Sequence, residues 1–197
     1  MGKIYCVMGK SSSGKDTLFK LLLGDNNLSL NTIVLYTTRP MREGEQNGVE
    51  YYFCDERAVE ELQKQGRIIE LRSYNTVHGI WKYFTVDDHQ VDLNRQSYVM
   101  IGTLASYLKI RDYYGKDKVV PLYIEVEDGL RLQRALDREK LQSNPRYEEL
   151  CRRFLADASD FSEQKLKEAL ICKRFNNISL EDTVQEIENY VLQKEKE

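Results

Sequence analysis

Cysteine is scarce in this chain: Cys6, Cys54, Cys151 and Cys172 stand far apart, with no pair at metal-ligand spacing. That excludes a disulfide framework and a zinc ribbon, and predicts four reduced, mostly buried thiols in a cytoplasmic protein. Histidine is scarcer still, with only His78 and His89 and no cysteine patterned with them, so neither is expected to ligate a metal. Proline occurs three times, and there is no repeat or low-complexity tract, which excludes arrays and long linkers. No apolar run is long enough for a signal peptide or a membrane span, and no membrane partner is expected. Met1-Gly2 is followed at the sixth position by Cys6, outside the acylation pattern. A dominant sign of charge is also missing. With 29 Lys and Arg against 32 Asp and Glu the net charge is −3, so no global field favours nucleic acid. An anionic ligand must then be held by local clusters, and arginines bunch at Arg39/Arg42, Arg131/Arg134/Arg138 and Arg152/Arg153.

What is present is a regular alternation. The 197 residues suit one domain with a sizeable core. Ile4–Met8 (IYCVM) is a continuous apolar run of the kind a doubly covered parallel strand needs. A glycine loop follows, and then leucines at helical spacing over Thr17–Leu23. Thr32–Tyr36, Tyr98–Ile101, Val119–Val126 and Ile171–Phe175 read as further strands, with Pro121 expected near a strand end or bulge. Helices are expected over Asp55–Gly66, Leu104–Tyr114, from Leu130, over Tyr147–Ala169 and over Leu180–Lys194. Glu139–Arg146 is charged, contains Pro145 and reads as a mobile connection. Strands alternating with helices predict an α/β fold: a P-loop NTPase three-layer core built on a parallel sheet. The stretch from about 37 to 90 breaks the alternation, with short strands Ile68–Tyr74 and Trp81–Val86, and reads as an inserted subdomain with Trp81, Tyr83 and Phe84 in its core.

Gly9-Lys10-Ser11-Ser12-Ser13-Gly14-Lys15 matches G-x-x-x-x-G-K between a strand and a helix, the context that makes the motif credible. Its glycines let successive N–H groups turn inward around an anion, and the helix start adds positive potential. Lys15 is a mobile cation for the β- and γ-phosphates. The residue after it is Asp16, then Thr17, where a hydroxyl usually meets Mg²⁺. Asp16 either faces solvent at the helix start or helps hold the metal, and the second is the expectation adopted.

From Tyr36 the chain reads YTTRPMREGEQNGVEYYF. Arg39 and Arg42 can fork onto one phosphate and the Tyr51 hydroxyl can add a donor, which implies a second phosphate-bearing ligand. At these residues the sequence resembles the guanylate kinases. Their acceptor loop T-T-R-x-x-R-x-G-E-x-x-G-x-x-Y-x-F is matched by Thr37, Thr38, Arg39, Arg42, Gly44, Glu45, Gly48, Tyr51 and Phe53. The resemblance implies ATP and GMP as substrates, Mg²⁺ as the cofactor, an NMP-binding insertion (about 37–90) and a short lid (about 137–152) within one domain. It further implies that Glu70 reads the guanine edge, that Arg134, Arg138 and Arg153 clamp the moving phosphoryl group, and that Asn176 lies near adenine. His78 falls in the family's Tyr-Gly-Ser/Thr element without its hydroxyls. Leu35 replaces a base-contacting Ser, and Met100 and Gly102 replace the family's Asp-x-Asp. These departures keep two alternatives open: a kinase for another acceptor, and a non-catalytic phosphopeptide-binding module. The intact Gly9, Gly14 and Lys15 speak against the module.

Overall fold

The computed structural model of the chain describes residues 1–76 and 79–197. Strand β1 (Ile4–Met8) is buried along its whole length, and its side chains alternate between two cores. Ile4, Cys6 and Met8 enter one with α3 (Leu104–Tyr114) and α6 (Glu163–Glu168). Tyr5 and Val7 enter the other with α1 (Lys15–Gly24) and α7 (Leu180–Glu195). A strand covered on both faces needs apolar residues at both parities, which is why IYCVM shows no polar alternation. Around it lie β7 (Tyr98–Ile101) and β8 (Val119–Glu125), with β2 (Asn31–Thr32) and β9 (Arg174–Asn176) at the edges, all parallel in the order β2-β7-β1-β8-β9. This is the expected three-layer α/β core. The strand order reverses at β1, and ligands bind such sheets at the carboxyl end of that switch point.

A second sheet is built from β3 (Tyr36–Thr37), β4 (Tyr52–Phe53), β5 (Ile68–Thr76) and β6 (Gly79–Val86) in the order β4-β3-β6-β5. It has its own small core of Val59, Phe84 and Val86, in which Val59 comes from α2 (Glu56–Lys64). Strand β5 packs against α3 and sends Ile69 into the main core, which seats the small sheet against the large one. Among the described residues no helix is long and apolar enough to cross a membrane.

Local signals set several boundaries as read. Asp55 caps α2 by accepting from the Ala58 N–H, and Gly66 leaves it at φ +67°. Thr103 and Ser106 form a reciprocal capping box at the start of α3, and Gly115 at φ +103° ends it. Ile187 and Val191 of α7 are fully buried, and Val184 packs beside them.

Three boundaries and the place of one proline differ from the sequence reading, each for a tertiary reason. The strand expected over Thr32–Tyr36 is split between the two sheets. The Gln90 side chain accepts from Val34 N–H at 2.7 Å and donates to Val34 O at 3.2 Å, so the backbone is satisfied outside either sheet. The helix expected to run to Ala169 breaks after α5 (Tyr147–Asp160). There Phe161 turns inward to stack on Tyr123 at 5.7 Å, and Ser162 is extended before α6 begins. The last strand starts at Arg174, because Ile171 is buried and bonded back to Leu166 O. Pro121 lies in the middle of β8 opposite Cys6. Since Ile4 N–H bonds Lys118 O, residue parity points Pro121 toward β9, whose pairing begins only at Tyr123, so no ladder donor is missed. The thiols also differ: Cys6 is buried and Cys54 half-buried, Cys151 is exposed because α5 buries little besides Leu150, and Cys172 is exposed in the connection between α6 and β9.

Candidate active site

The loop after β1 has the backbone that an anion cradle needs. Gly14 has φ +85° and Ser12 φ +62°, so left-handed residues alternate with right-handed ones and turn N–H groups to one side. A Cβ on Gly14 would sit 2.3 Å from Asn177 Nδ2, and one on Gly9 would sit 2.5 Å from Ile124 O. Neither position has room for a side chain. Ser13 is fully buried beneath the loop; its carbonyl accepts from Asn177 Nδ2 at 2.8 Å, while its Oγ has no partner among the described residues.

Helix α4 (Asp128–Lys140) lays its arginines over this loop. Arg138 Nη2 donates to Ser12 Oγ at 3.3 Å, and Arg134 Nη2 donates to Asn177 O at 3.2 Å. Together with Ser12, Gly14, Asp16, Thr17, Asn177, Ile178 and Leu180 they line a cavity of about 400 Å³. Lys15 Nζ lies 3.4 Å from Asp16 Oδ2, and Asp16 is largely solvent-facing. Arg153 is half-exposed, 3.8 Å from Glu149, and is not among the residues lining that cavity. Asn176 lines a neighbouring cavity of about 510 Å³ with Lys10, Glu127 and Asp128; the amide that touches the loop belongs to Asn177, which sequence reasoning missed. Burial opposes ionisation of Asp128, but hydrogen bonds from Arg131 and Lys10 outweigh it and keep its carboxyl below the usual range.

The expected acceptor residues gather on the small sheet. Arg39 is 3% exposed and forks onto Glu45, at 2.9 Å from Nη1 and 2.8 Å from Nη2, with its guanidinium over the rings of Tyr51 and Phe53. Glu45 also accepts from Arg42 N–H at 2.7 Å, and the Arg39 pairing brings its carboxyl down to about 2. Arg39 therefore braces the loop, while the Arg42 side chain is exposed on it. Thr38 Oγ1 accepts from Lys82 N–H at 2.9 Å and so holds β3 to β6. Tyr51 meets Phe53 and Tyr83 edge-on, and burial raises its hydroxyl pKa. His78 lies outside the described residues.

Glu70 is buried and already engaged. Arg72 donates to both its oxygens, at 3.0 and 3.3 Å, and Thr85 Oγ1 donates at 3.0 Å. Residues two apart on a strand share a face, so the Glu70–Arg72 pairing follows from β5 itself, a signal available in the sequence and not used. Both charges act on the buried Cys6 thiol, whose pKa burial pushes up to about 12. Beside Cys6, a Cβ on Gly102 would meet its Sγ at 2.7 Å, and Met100 is buried, so the Asp-x-Asp positions are crowded and apolar in this chain.

A family model for guanylate kinase matches residues 1–82. The guanylate kinase of Malacoplasma penetrans is 27% identical over 183 residues, covering 89% of this chain and 81% of that protein. That of Mycoplasmoides gallisepticum is 37% identical over 79 residues, 40% of each chain. That of Neisseria gonorrhoeae is 42% identical over 69 residues, 35% of this chain and 33% of the relative. The chain thus spans less than half the length of two of these three relatives. The crystal structure of guanylate kinase from Anaplasma phagocytophilum superposes with a TM-score of 0.62 at 23% identity, over 98% of this chain and 86% of that one. At that identity the likeness is one of fold.

Proposed function

We propose that this chain, similar to the guanylate kinases over its first 82 residues and to one of them over 89% of its length, transfers the γ-phosphoryl group of ATP to a nucleoside monophosphate, with GMP first. The observation that carries the reading is a pair of anion sites of different construction. One is the glycine-formed loop of Gly9–Lys15 under Arg134 and Arg138. The other is the Arg39–Glu45–Arg42 loop on the small sheet. Two phosphate sites suit a donor and an acceptor.

In this reading one domain does the work: the insertion (about 37–90) binds the acceptor, the lid (about 137–152) closes over it, and the chain acts in the cytoplasm on free nucleotides. Residues of the stretch from Gly9 to Thr17 hold the triphosphate, Asn176 and Asn177 border the base, and Arg39, Arg42 and Tyr51 hold the acceptor phosphate. The attacking phosphate oxygen is already ionised, so no general base is required. Catalysis comes from alignment and from charge neutralisation by Lys15, Arg134, Arg138 and Arg153 in a site closed to water. Among the described residues there is no group of three His, Cys, Asp or Glu able to cage a metal. Mg²⁺ is commonly held by one or two carboxylates plus substrate phosphates, and the oxygen of Asp16 in the cleft fits that mode. The ion would supply neutralisation of phosphate charge.

Turnover is tested by coupled ADP release with GMP, dGMP, AMP, CMP and UMP, repeated over a range of Mg²⁺ with Asp16→Asn. GMP should give the highest kcat/KM, and the variant should need more Mg²⁺ for half-maximal rate. Turnover of none of the five would overturn the reading. A second reading, a kinase for a different acceptor, is favoured by the Arg72 guanidinium on Glu70 and by Met100 and Gly102. It predicts that another nucleotide leads the series.

A further inference from the structure

Ser11, the third residue of the phosphate loop, is held from both sides of its backbone. Its N–H donates to Asp157 Oδ2 at 2.7 Å, and its carbonyl accepts from Arg131 Nη1 at 2.9 Å. Arg131 is 1% exposed, the most deeply enclosed cation among the described residues. Its Nε and Nη2 donate to Asp128 Oδ1 at 3.1 and 2.8 Å, its Nη1 lies 3.5 Å from Asp157 Oδ2, and its guanidinium covers the Phe154 ring at 4.5 Å. One buried cation thus joins three pieces of chain: the loop at Ser11, α4 through Asp128, and α5 through Phe154 and Asp157. Burying an arginine and a carboxylate costs several kcal/mol, on the order of what their pairing returns, so such a cluster adds geometry more than stability.

What it orients is specific. Helix α4 carries Arg134 and Arg138, and α5 carries Arg153, the three arginines assigned to the moving phosphoryl group. Alignment errors of about 1 Å between such groups and the reacting atoms cost up to about 100-fold in rate. We propose that Arg131 and Asp157 are positioning residues, which register α4 and α5 onto the phosphate loop at Ser11 and so set the arginines against the transferring phosphate. The inference rests on the ATP-site reading. It adds that the loop donors offered to the nucleotide begin at Ser12, since Ser11 N–H is taken by Asp157.

The test compares Asp157→Ala and Asp157→Asn with the unmodified protein. In Asp157→Ala, kcat should fall about tenfold while KM for ATP stays level or drops, because a carboxylate beside the loop has gone. In Asp157→Asn, whose amide oxygen can still accept from Ser11 N–H, most of kcat should return. A purely structural role would lower the melting temperature and leave kcat per folded molecule unchanged, and that result overturns the proposal. A second measurement needs no acceptor. ATP should slow hydrogen–deuterium exchange in α5 of the unmodified protein and not in Asp157→Ala. Equal protection in both, or none in the unmodified protein, overturns it as well. If no nucleoside monophosphate is phosphorylated yet α5 is protected only when Asp157 is present, the assigned acceptor fails and the coupling stands.

Discussion

The phosphate loop and the acceptor loop, the two anion sites of the proposed function, are made of different materials. The first is backbone. It hangs from a strand with no exposed residue, its shape comes from Gly9, Ser12 and Gly14, and most of its N–H groups are aimed without help from a side chain. The second is side chains already occupied with one another, Arg39 with Glu45 and Arg72 with Glu70. A ligand at the first site adds interactions to donors that are waiting. At the second a base that reaches Glu70 must exchange partners with Arg72, and exchange discriminates between ligands better than it holds them. Under the proposed function, the difference assigns affinity to the large sheet and choice to the small one.

The hardest way to break that division is at Lys15. Lys15→Ala removes the lysine that ends the loop, the other, Lys10, being paired with Asp128, and should cut kcat/KM about 100-fold, about 2.7 kcal/mol of transition-state stabilisation, in a steady-state assay. A variant within threefold of the unmodified enzyme would mean that the loop is not where transfer occurs.

Choice is probed at Glu70. Glu70→Gln should reduce the preference for GMP over AMP by about 2 kcal/mol, roughly 30-fold, because an amide cannot accept from both N1–H and the exocyclic amine. Arg72→Met sharpens the point: with the carboxylate released from its guanidinium, KM for GMP should fall even as the melting temperature drops. Preference unchanged in Glu70→Gln would remove this carboxylate from base reading.

A smaller effect separates the two phosphates. Arg42→Ala should raise KM for the acceptor about tenfold, while ATP binding measured by calorimetry stays within twofold. Equal losses in both would show one shared site instead of two.

The smallest effect is on stability against pH. The carboxyl of Glu45 is depressed from 4.5 to about 2 by Arg39. A depressed carboxyl contributes stability that is full above its unfolded value and lost as pH falls toward its folded value. The gap in melting temperature between the unmodified protein and Glu45→Gln should therefore be constant from pH 5 to 8 and close between pH 4.5 and about 2. A gap that persists at pH 2 would mean that shape, and not charge, is what Glu45 provides.

How much of this was legible depends on how far apart the partners are. The strand, loop and start of α1 were readable because an apolar run, two glycines and a lysine within fifteen residues specify them. The capping pairs Asp55 with Ala58 and Thr103 with Ser106 lie three residues apart, so α2 and α3 were placed closely. The acceptor loop was recognised as a pattern, yet the pairing within it was not: the fold sets Arg39 on Glu45 beside two rings.

The sequence by itself determined the alternation of strands and helices, the cradle at Gly9–Lys15 and the resemblance to the guanylate kinases. Each rests on periodicity or on contacts within a few residues, where the chain has no alternative geometry to choose. Tertiary structure decided the rest. Only folding brings Gln90 to Val34 across 56 residues to split a strand between two sheets. Only folding brings Asp157 to Ser11 across 146 residues and Arg131 to the same residue across 120. A charged side chain takes whichever partner the packed backbone sets within hydrogen-bond reach. That partner is fixed when the layers close and cannot be read from its neighbours in the chain.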